Sequence, residues 1–470
     1  MKFIIIGYGA TATALLPILF DEFGDQISSL TVIDPLPKDD NSHPTVSPTT
    51  FVCTRLTIEN YKDILIDLDD NTFLINLSVD VSSLDLVAYC QERGAKYLDT
   101  CIEPWAGYYT NTTIDLKYRT NYHLRESMLA LKRACKGGPT AVIAHGANPG
   151  LASHFVKQAL LHLRHDLYGA NDHVPTTRQE WAQLACDLHI KTIHIAEHDT
   201  QIAKTPKTIG EFINTWSVDG FIAEGCQPSE LGWGTHELKL PIGAHFHESG
   251  CKSSIYLTQP GASVRIKTWT PAAGPCLGFL ITHNESISLS DYLTVHDENG
   301  VSYRPTVNYA YHPCNDAILS LHELIGNSWQ PQQRKRVISG NDILEGADYL
   351  GVLLMGHEKN AYWYGSALKN CAAQALNPQS SATTLQVVAG VIAGIRWALE
   401  NPRHGIVEAE EIDFQFILGI AQPYLGELVG AYTNWSPDYN AKDSLYPSTY
   451  LSWQFEKFLE HVQDVQTWAI

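Results

Sequence analysis

KFIIIGYGATATALLPILF, residues 2–20, is the stretch from which the fold is read. A short β-branched apolar run enters the turn Gly7-Tyr8-Gly9-Ala10-Thr11-Ala12, and an apolar helical pattern leaves it. Strand, glycine turn and helix in that order form the GxGxxA version of the dinucleotide fingerprint. Gly7 permits the tight turn, Gly9 lets a pyrophosphate approach the backbone at the helix N-terminus, and Ala12 is small enough for close helix–strand packing. A basic start followed by an apolar run also resembles a secretory leader, but two glycines interrupt the run. The next strand, LTVIDP, ends in Asp34, where the fingerprint expects an acid for the adenosine ribose hydroxyls. Pro35 follows it instead of arginine, which favours NAD over the 2′-phosphorylated cofactor.

Outward from this turn the strand–helix rhythm continues to about residue 150. TFLINLSV, AKYLDT and TAVIAHGAN read as strands, with helical patterns at LDLVAYCQERG and TNYHLRESMLALKRAC. The alternation predicts a doubly wound, Rossmann-like parallel sheet. PLPKDDNSHPTVSPTT, residues 35–50, reads as an exposed loop. The carboxyl ends of the strands of such a sheet line a cofactor crevice. That places Leu77, Ser78 and Val79, then Asp99 and Thr100, then Gly146, Ala147, Asn148 and Pro149 around the ribose and nicotinamide, beside Gly7, Gly9, Ala10 and Thr11. The fourth strand runs on into Cys101-Ile102-Glu103-Pro104-Trp105 and sets Glu103 where a substrate would meet the nicotinamide.

Beyond residue 150 the pattern changes. KTIHIAEHDTQ, HFHESGCKSSIYL, ASVRIKTW and GFLITHNESISL read as strands of a mixed or antiparallel sheet, and residues 383–402 and 412–432 as long helices. The expected organisation is an NAD-binding domain over 1–152, an α+β substrate domain over 153–380, and a helical segment over 381–470 packing back on the first domain.

TWSVDGFIAEGCQPSELGWGTHE, residues 215–237, carries Asp219, Glu224, Glu230 and Glu237 beside Trp216 and Trp233, with no lysine or arginine. Such a stretch suits a small organic cation. The formal net charge of −19 agrees with that and argues against a nucleic-acid groove or an anionic membrane surface. Ten scattered cysteines without a metal-type spacing read as reduced thiols of a cytoplasmic protein. His194-Ile195-Ala196-Glu197-His198 matches H-x-x-E-H, a zinc-protease pattern that requires a helix. TIHIAEHDT alternates and is β-branched, so a strand is expected, with Glu197 facing away from both histidines and no metal held.

CIEPW, HGANPGLASHFVKQAL, IHIAEHDTQ, residues 215–237, GADYLGVLL and residues 382–413 together resemble the bacterial homospermidine synthases, within the wider saccharopine-dehydrogenase-like proteins. The similarity runs over nearly the whole chain. It implies a tightly held NAD used as a recycled hydride store, putrescine and spermidine as substrates, sym-homospermidine as product, and a homodimer. It also implies Glu103, Asn148 and Glu197 near the nicotinamide, His283 beside the reacting amine, Glu224 and Asp348 on the distal ammonium, and Trp216 facing the cationic imine. Two other readings stay open: a net saccharopine-type oxidoreductase, which needs cationic side chains for substrate carboxylates, and a non-catalytic sensor of NAD and polyamines.

Overall fold

The computed structural model describes residues 1–36, 49–170, 173–437 and 453–460. The β-branched run before Gly7 is the strand Lys2–Ile6, in the interior of a parallel sheet. Its side chains are apolar on both faces because both faces are covered. Phe3 and Ile5 pack with residues of the helix Ala10–Phe23, while Ile6 and Leu74 pack with Leu86 and Val87 of the helix Ser83–Arg93. Among the described residues the sheet has seven strands, in the order Ile406–Val407, Ala141–Val142, Lys96–Asp99, Thr72–Asn76, Lys2–Ile6, Ser29–Asp34, Thr49–Cys53. The chain winds in opposite directions on the two sides of Lys2–Ile6, so the crevice opens at the carboxyl ends of that strand and its neighbours. The loop expected over 35–50 lies mostly outside the described residues. Thr49 and Thr50 already belong to the edge strand Thr49–Cys53, parallel to Ser29–Asp34.

The second sheet is mixed. Its spine runs Ala244–Phe246, Ser254–Pro260, Pro228–Gly232, Thr306–His312, Thr192–Asp199, Ala347–Met355, Ala361–Lys369, Glu427–Thr433. Thr192–Asp199 pairs in parallel with Thr306–His312 and antiparallel with Ala347–Met355. This central strand is therefore buried on both faces, and one of those faces carries acids.

Two stretches depart from the sequence expectation. Residues 278–289 are not one strand: Gly274–Phe279 ends, His283 is an N-cap, and Asn284–Tyr292 is a helix. Residues 284–290 of that helix are buried all round, with serines packed as small groups, so no amphipathic stripe betrays the 3.6-residue period. Residues 412–432 are not one helix either. Phe414–Ala421 is helical, Pro423 and Gly426 end it, and Glu427–Thr433 pairs with Ala361–Lys369 at the sheet edge.

Helix Ala382–Glu400 joins the two layers. It is long and apolar enough to cross a membrane, but 83% of its apolar window is buried within the protein, as befits a core helix. It packs against Ala10–Phe23 and against the strands Lys96–Asp99 and Ala361–Lys369. A Cβ on Gly390 would lie 2.0 Å from the carbonyl oxygen of Gly146, so only glycine permits this approach. The strand Ile406–Val407 then completes the first sheet beside Ala141–Val142.

Candidate active site

A cavity of about 920 Å³ runs from the fingerprint turn to the acid-bearing face of the second sheet. At the turn, Gly7 has φ +88°, and a Cβ there would meet Ser78 at 2.9 Å. A Cβ on Gly9 would meet nothing, so this wall has room for a ligand to approach the backbone. Gly9 is also the N-cap of Ala10–Phe23 and supplies no side-chain cap, which leaves first-turn N–H groups for an anion. Asp34 accepts from the Tyr8 N–H at 2.7 Å and the Leu36 N–H at 2.9 Å, so its carboxylate is locked at the mouth. These features fit the adenosine and pyrophosphate of a dinucleotide.

Gly7, Gly9, Thr11, Asp34, Leu77, Ser78, Val79, Thr100, Gly146, Ala147, Asn148 and Pro149 all lie on the cavity wall, as do Glu103, Glu197, Trp216, Glu224 and His283. Ala10, Asp99 and Asp348 do not. Ala10 turns into the helix. Asp99 is buried in the sheet, where it accepts from the Ala144 N–H at 2.6 Å and the Tyr97 hydroxyl at 2.8 Å, so it fixes the turn into Gly146 instead of facing a cofactor. Burial pushes its carboxyl up to about 6. Asp348 sits behind the wall residue Thr383, whose hydroxyl donates to it.

The inner end is acidic. Glu197 and Asp199 share one face of Thr192–Asp199, and antiparallel register sets Asp348 opposite Asp199. Glu197 is 2% exposed and accepts from the Asn148 amide and the Tyr309 hydroxyl, both at 2.6 Å. Burial is the main cause that lifts its carboxyl to about 7. Asp199 is met by the Thr215 hydroxyl and by Gln201, and burial lifts it to about 6. Asp348 is 0% exposed, and its Oδ1 has no hydrogen-bond partner among the described residues. Burial, then Glu197 and Asp199, raise it well above the carboxylate range. Glu103 is pushed up to about 8 by burial, with Glu224 and Asp80 adding to the rise and the Cys101 thiol opposing it. Among the described residues, the hydrogen-bond donors to Glu197, Asp199 and Asp348 are all neutral.

Across the cavity His283 bridges two acids. Nε2 lies 3.1 Å from Glu224 and Nδ1 lies 3.2 Å from Glu285. Burial alone would depress this imidazole, but Glu285 and Glu224 raise it to about 10. Trp216 donates its indole N–H to the Tyr311 hydroxyl at 3.1 Å, and Tyr311 stacks on Tyr309 with centroids 5.2 Å apart.

The acidic stretch 215–237 is less uniform in space than in sequence. Asp219 pairs with Lys335. Glu230 is buried and accepts from the N–H groups of Asn121 and Tyr122 and from the Thr282 hydroxyl, which ties a helix start to the second sheet. Glu237 accepts from the Thr306 hydroxyl and the Phe455 N–H. Trp233 packs against Phe455. Of this set Trp216, Asp219 and Glu224 reach the cavity wall, Asp219 paired there with Lys335.

The H-x-x-E-H match lies on a strand. His194 and His198 point to the face opposite Glu197, toward Thr268 and His312, so the three side chains cannot converge on one ion. Sequence reading missed Tyr309, Tyr311, Thr383 and Glu285. TVNYAYH alternates, which signals one face for both tyrosines, but only the parallel register beside Thr192–Asp199 shows that the face is the acidic one.

Two family models divide the chain: the saccharopine dehydrogenase NADP binding domain matches residues 3–142, and the saccharopine dehydrogenase C-terminal domain matches 146–433. The sequence is 49% identical to homospermidine synthase of Blastochloris viridis over 97% of this chain and 96% of that one. It is 46% identical to homospermidine synthase of Mesorhizobium japonicum, again over 97% and 96%. The structure is similar to that of a homospermidine synthase from Legionella pneumophila in complex with NAD, with TM-score 0.88, 44% identity and 98% of both chains covered. Saccharopine dehydrogenase of Saccharomyces cerevisiae shares the fold at TM-score 0.50 and 9% identity, over 92% of this chain and 99% of that one.

Proposed function

This chain belongs to the homospermidine synthase family, and we propose from that premise that it condenses two putrescines to sym-homospermidine and releases ammonia. Spermidine substitutes for one putrescine, with diaminopropane leaving in place of ammonia. The observation that carries this reading is the buried acid Glu197 on the cavity wall, backed by Asp199 and Asp348, with only neutral hydrogen-bond donors on all three among the described residues. Buried carboxylates without cations are costly, so a dication entering the cavity supplies the missing charge.

Asp34 would hold the ribose of NAD and the Gly9 turn its pyrophosphate, and the cofactor would supply a hydride store with no net redox change. The chain's residues handle binding and protons. An alkylammonium, with pKa near ~10, cannot lose hydride or act as nucleophile until it is deprotonated. Glu197, fixed by Asn148 and Tyr309, is the acceptor beside the first amine, and Glu103 is the second carboxylate at that end. Glu224 holds the distal ammonium, and Asp348, behind Thr383, adds negative charge from beside Glu197 and Asp199. His283 exchanges a proton with the second amine as it attacks the imine carbon and as ammonia departs. Trp216 faces the iminium, where cation–π attraction contributes ~2 kcal/mol when desolvated and acts on the charged intermediates as well as on binding. Redox change sums to zero, which makes the enzyme an aminobutyltransferase. We place it in the cytoplasm, where its ten cysteines stay unpaired as they are here, and assign it a homodimer by family likeness and the frequency of twofold assembly.

The test is isotopic. Putrescine deuterated at both amine-bearing carbons, given catalytic NAD in ordinary water, yields homospermidine with all its deuterium. Loss of label, or NADH accumulating with product, would return the chain to net oxidoreductase chemistry. Binding of both ligands without ammonia release would make it a sensor.

A further inference from the structure

Glu285 lies outside the cavity yet touches the residue that faces the substrate nitrogen. It is 1% exposed, in the first turn of Asn284–Tyr292, where the helix dipole favours a carboxylate. Its Oε1 accepts from His283 Nδ1 at 3.2 Å, and its Oε2 is buried without a hydrogen-bond partner among the described residues. His283 Nε2 meets Glu224 at 3.1 Å. Carboxylates accept and do not donate, so both ring nitrogens carry hydrogen and the ring is an imidazolium. The state of each nitrogen of a histidine ring is set by the hydrogen bond the other makes. Here both are engaged, Nε2 by an acid that also lines the substrate cavity.

We propose that Glu285 is a positioning residue of the reaction: it holds the His283 ring as a doubly donating imidazolium, and so makes the Nε2 proton the one exchanged with the substrate amine. This rests on the amine-condensing reading above. When an ammonium takes Glu224, Nε2–H is released from that acid, and only Glu285 still holds the ring's orientation and charge. With both acids on the ring the imidazolium is raised to about 10, near an alkylammonium; once Glu224 is taken, Glu285 alone keeps part of that rise, and the Nε2 proton passes more readily to an amine. The imidazolium first gives its Nε2 proton to the departing amine, the neutral ring so formed takes one back from the nitrogen that has attacked, and the ring ends the exchange as the imidazolium it began as. The groups facing the ring are Glu285 on its own helix, Glu224 on Val218–Cys226, and Tyr309, 4.3 Å away between ring centroids, on the strand beside Glu197.

The test needs no turnover. In protein labelled with ¹⁵N-histidine, the His283 signals are assigned by their loss in His283→Asn. In the unaltered protein both nitrogens should be protonated at pH 8. Neutral His283 at that pH overturns the proposal, whatever the variants do. In Glu285→Gln the ring should titrate at least one pH unit lower, the matching limb of the kcat/KM profile should move with it, and kcat/KM at pH 8 should fall roughly tenfold or more. Glu285→Asp should recover most of the shift, because it keeps the charge. Unmoved titration with only a lower Tm would make Glu285 a packing residue. If no variant or parent makes homospermidine, the functional reading fails while the spectra still decide the state of His283.

Discussion

Two buried acid clusters among the described residues make a contrast: Asp291 in one is held below its ordinary value, while Glu197 and Asp348 in the other are raised. At the junction of the first domain with helix Asn284–Tyr292, Arg125 is 2% exposed and grips Glu408 with two nitrogens at 2.6 and 2.8 Å. It also reaches Asp291 at 3.0 Å, and Arg178 meets the same acid at 2.9 Å. Burial pushes Asp291 up, but the two guanidinium groups overcome it and hold the carboxyl below its ordinary value. Glu197 on the cavity wall and Asp348 behind it are equally buried and have no such partner, and both are raised. At the junction the chain provides the cation; Glu197 and Asp348 are left with hydroxyls and amides, and so, at positions that tie the fold together, are Glu230 and Glu237, so it is the open cavity beside Glu197 that sets it apart.

The largest expected effect comes from Glu197→Gln. It removes the proton acceptor but keeps most hydrogen-bonding shape, so kcat should fall by about 10²- to 10⁴-fold with Tm unchanged or higher. A clear drop in Tm would place Glu197 with the structural acids. Arg125→Met should do the reverse. It strands Glu408 without charge compensation, leaves Asp291 with Arg178 alone, and should cost about 3–5 kcal/mol in urea unfolding. A loss below about 1 kcal/mol would erase the distinction between the clusters. Trp216 comes next. Phe keeps a weaker π face and Leu none, so activity should fall in the order Trp, Phe, Leu, with the Leu variant about 30-fold down if ~2 kcal/mol of cation–π energy is lost. A Leu variant as active as the parent returns Trp216 to core packing.

The smallest effect is in pH. A carboxyl raised to about 7 in the folded chain contributes stability that is full below the unfolded value near ~4.3 and fades as pH rises through 7. The difference in unfolding free energy between the parent and Glu197→Gln should therefore shrink, then turn against the parent, by roughly 1 kcal/mol per unit across that window. Asp291 behaves oppositely, its contribution vanishing as pH falls. Putrescine should restore the parent more at pH 8 than at pH 6. Equal stabilisation at both would show that the dication does not reach these acids. A separate check on the outer end uses NADP: Asp34 repels a 2′-phosphate, so cofactor-stripped enzyme should strongly prefer NAD, and equal rates with NADP would remove that role.

What was legible in sequence was what neighbours along the chain decide. Gly7, Gly9 and Asp34 could be read because a tight turn, a backbone approach and a strand end each follow from a few consecutive residues. Period two sufficed to turn Glu197 away from His194 and His198. Charge compensation is not local. Lys335 answers Asp219 from 116 residues downstream, and Glu230 is satisfied by backbone groups of Asn121 and Tyr122, so the unanswered acids of residues 215–237 were mostly answered elsewhere. The partnership of Asp348 with Asp199 needed the strand register. Glu285 is two positions from His283, close enough to be seen, but ISLS imitates strand alternation and hid the helix that aims it.

The strand Ile406–Val407 and the helix Ala382–Glu400 also set the order in which the protein can be made. A ribosome releases the first sheet's own strands early, yet the strand beside Ala141–Val142 and the helix resting on Gly146 emerge only after the entire second sheet's central strands. Through that interval the nascent nucleotide domain has one uncovered edge and an open face behind the crevice. Domains that fold as units during synthesis are protected early, whereas this one should stay protease-sensitive until about residue 407 has left the exit tunnel. Stalled chains ending at 381 and at 430 plus a tunnel-length linker distinguish the two cases: only the longer should resist proteolysis of its first 150 residues and gain further resistance from NAD.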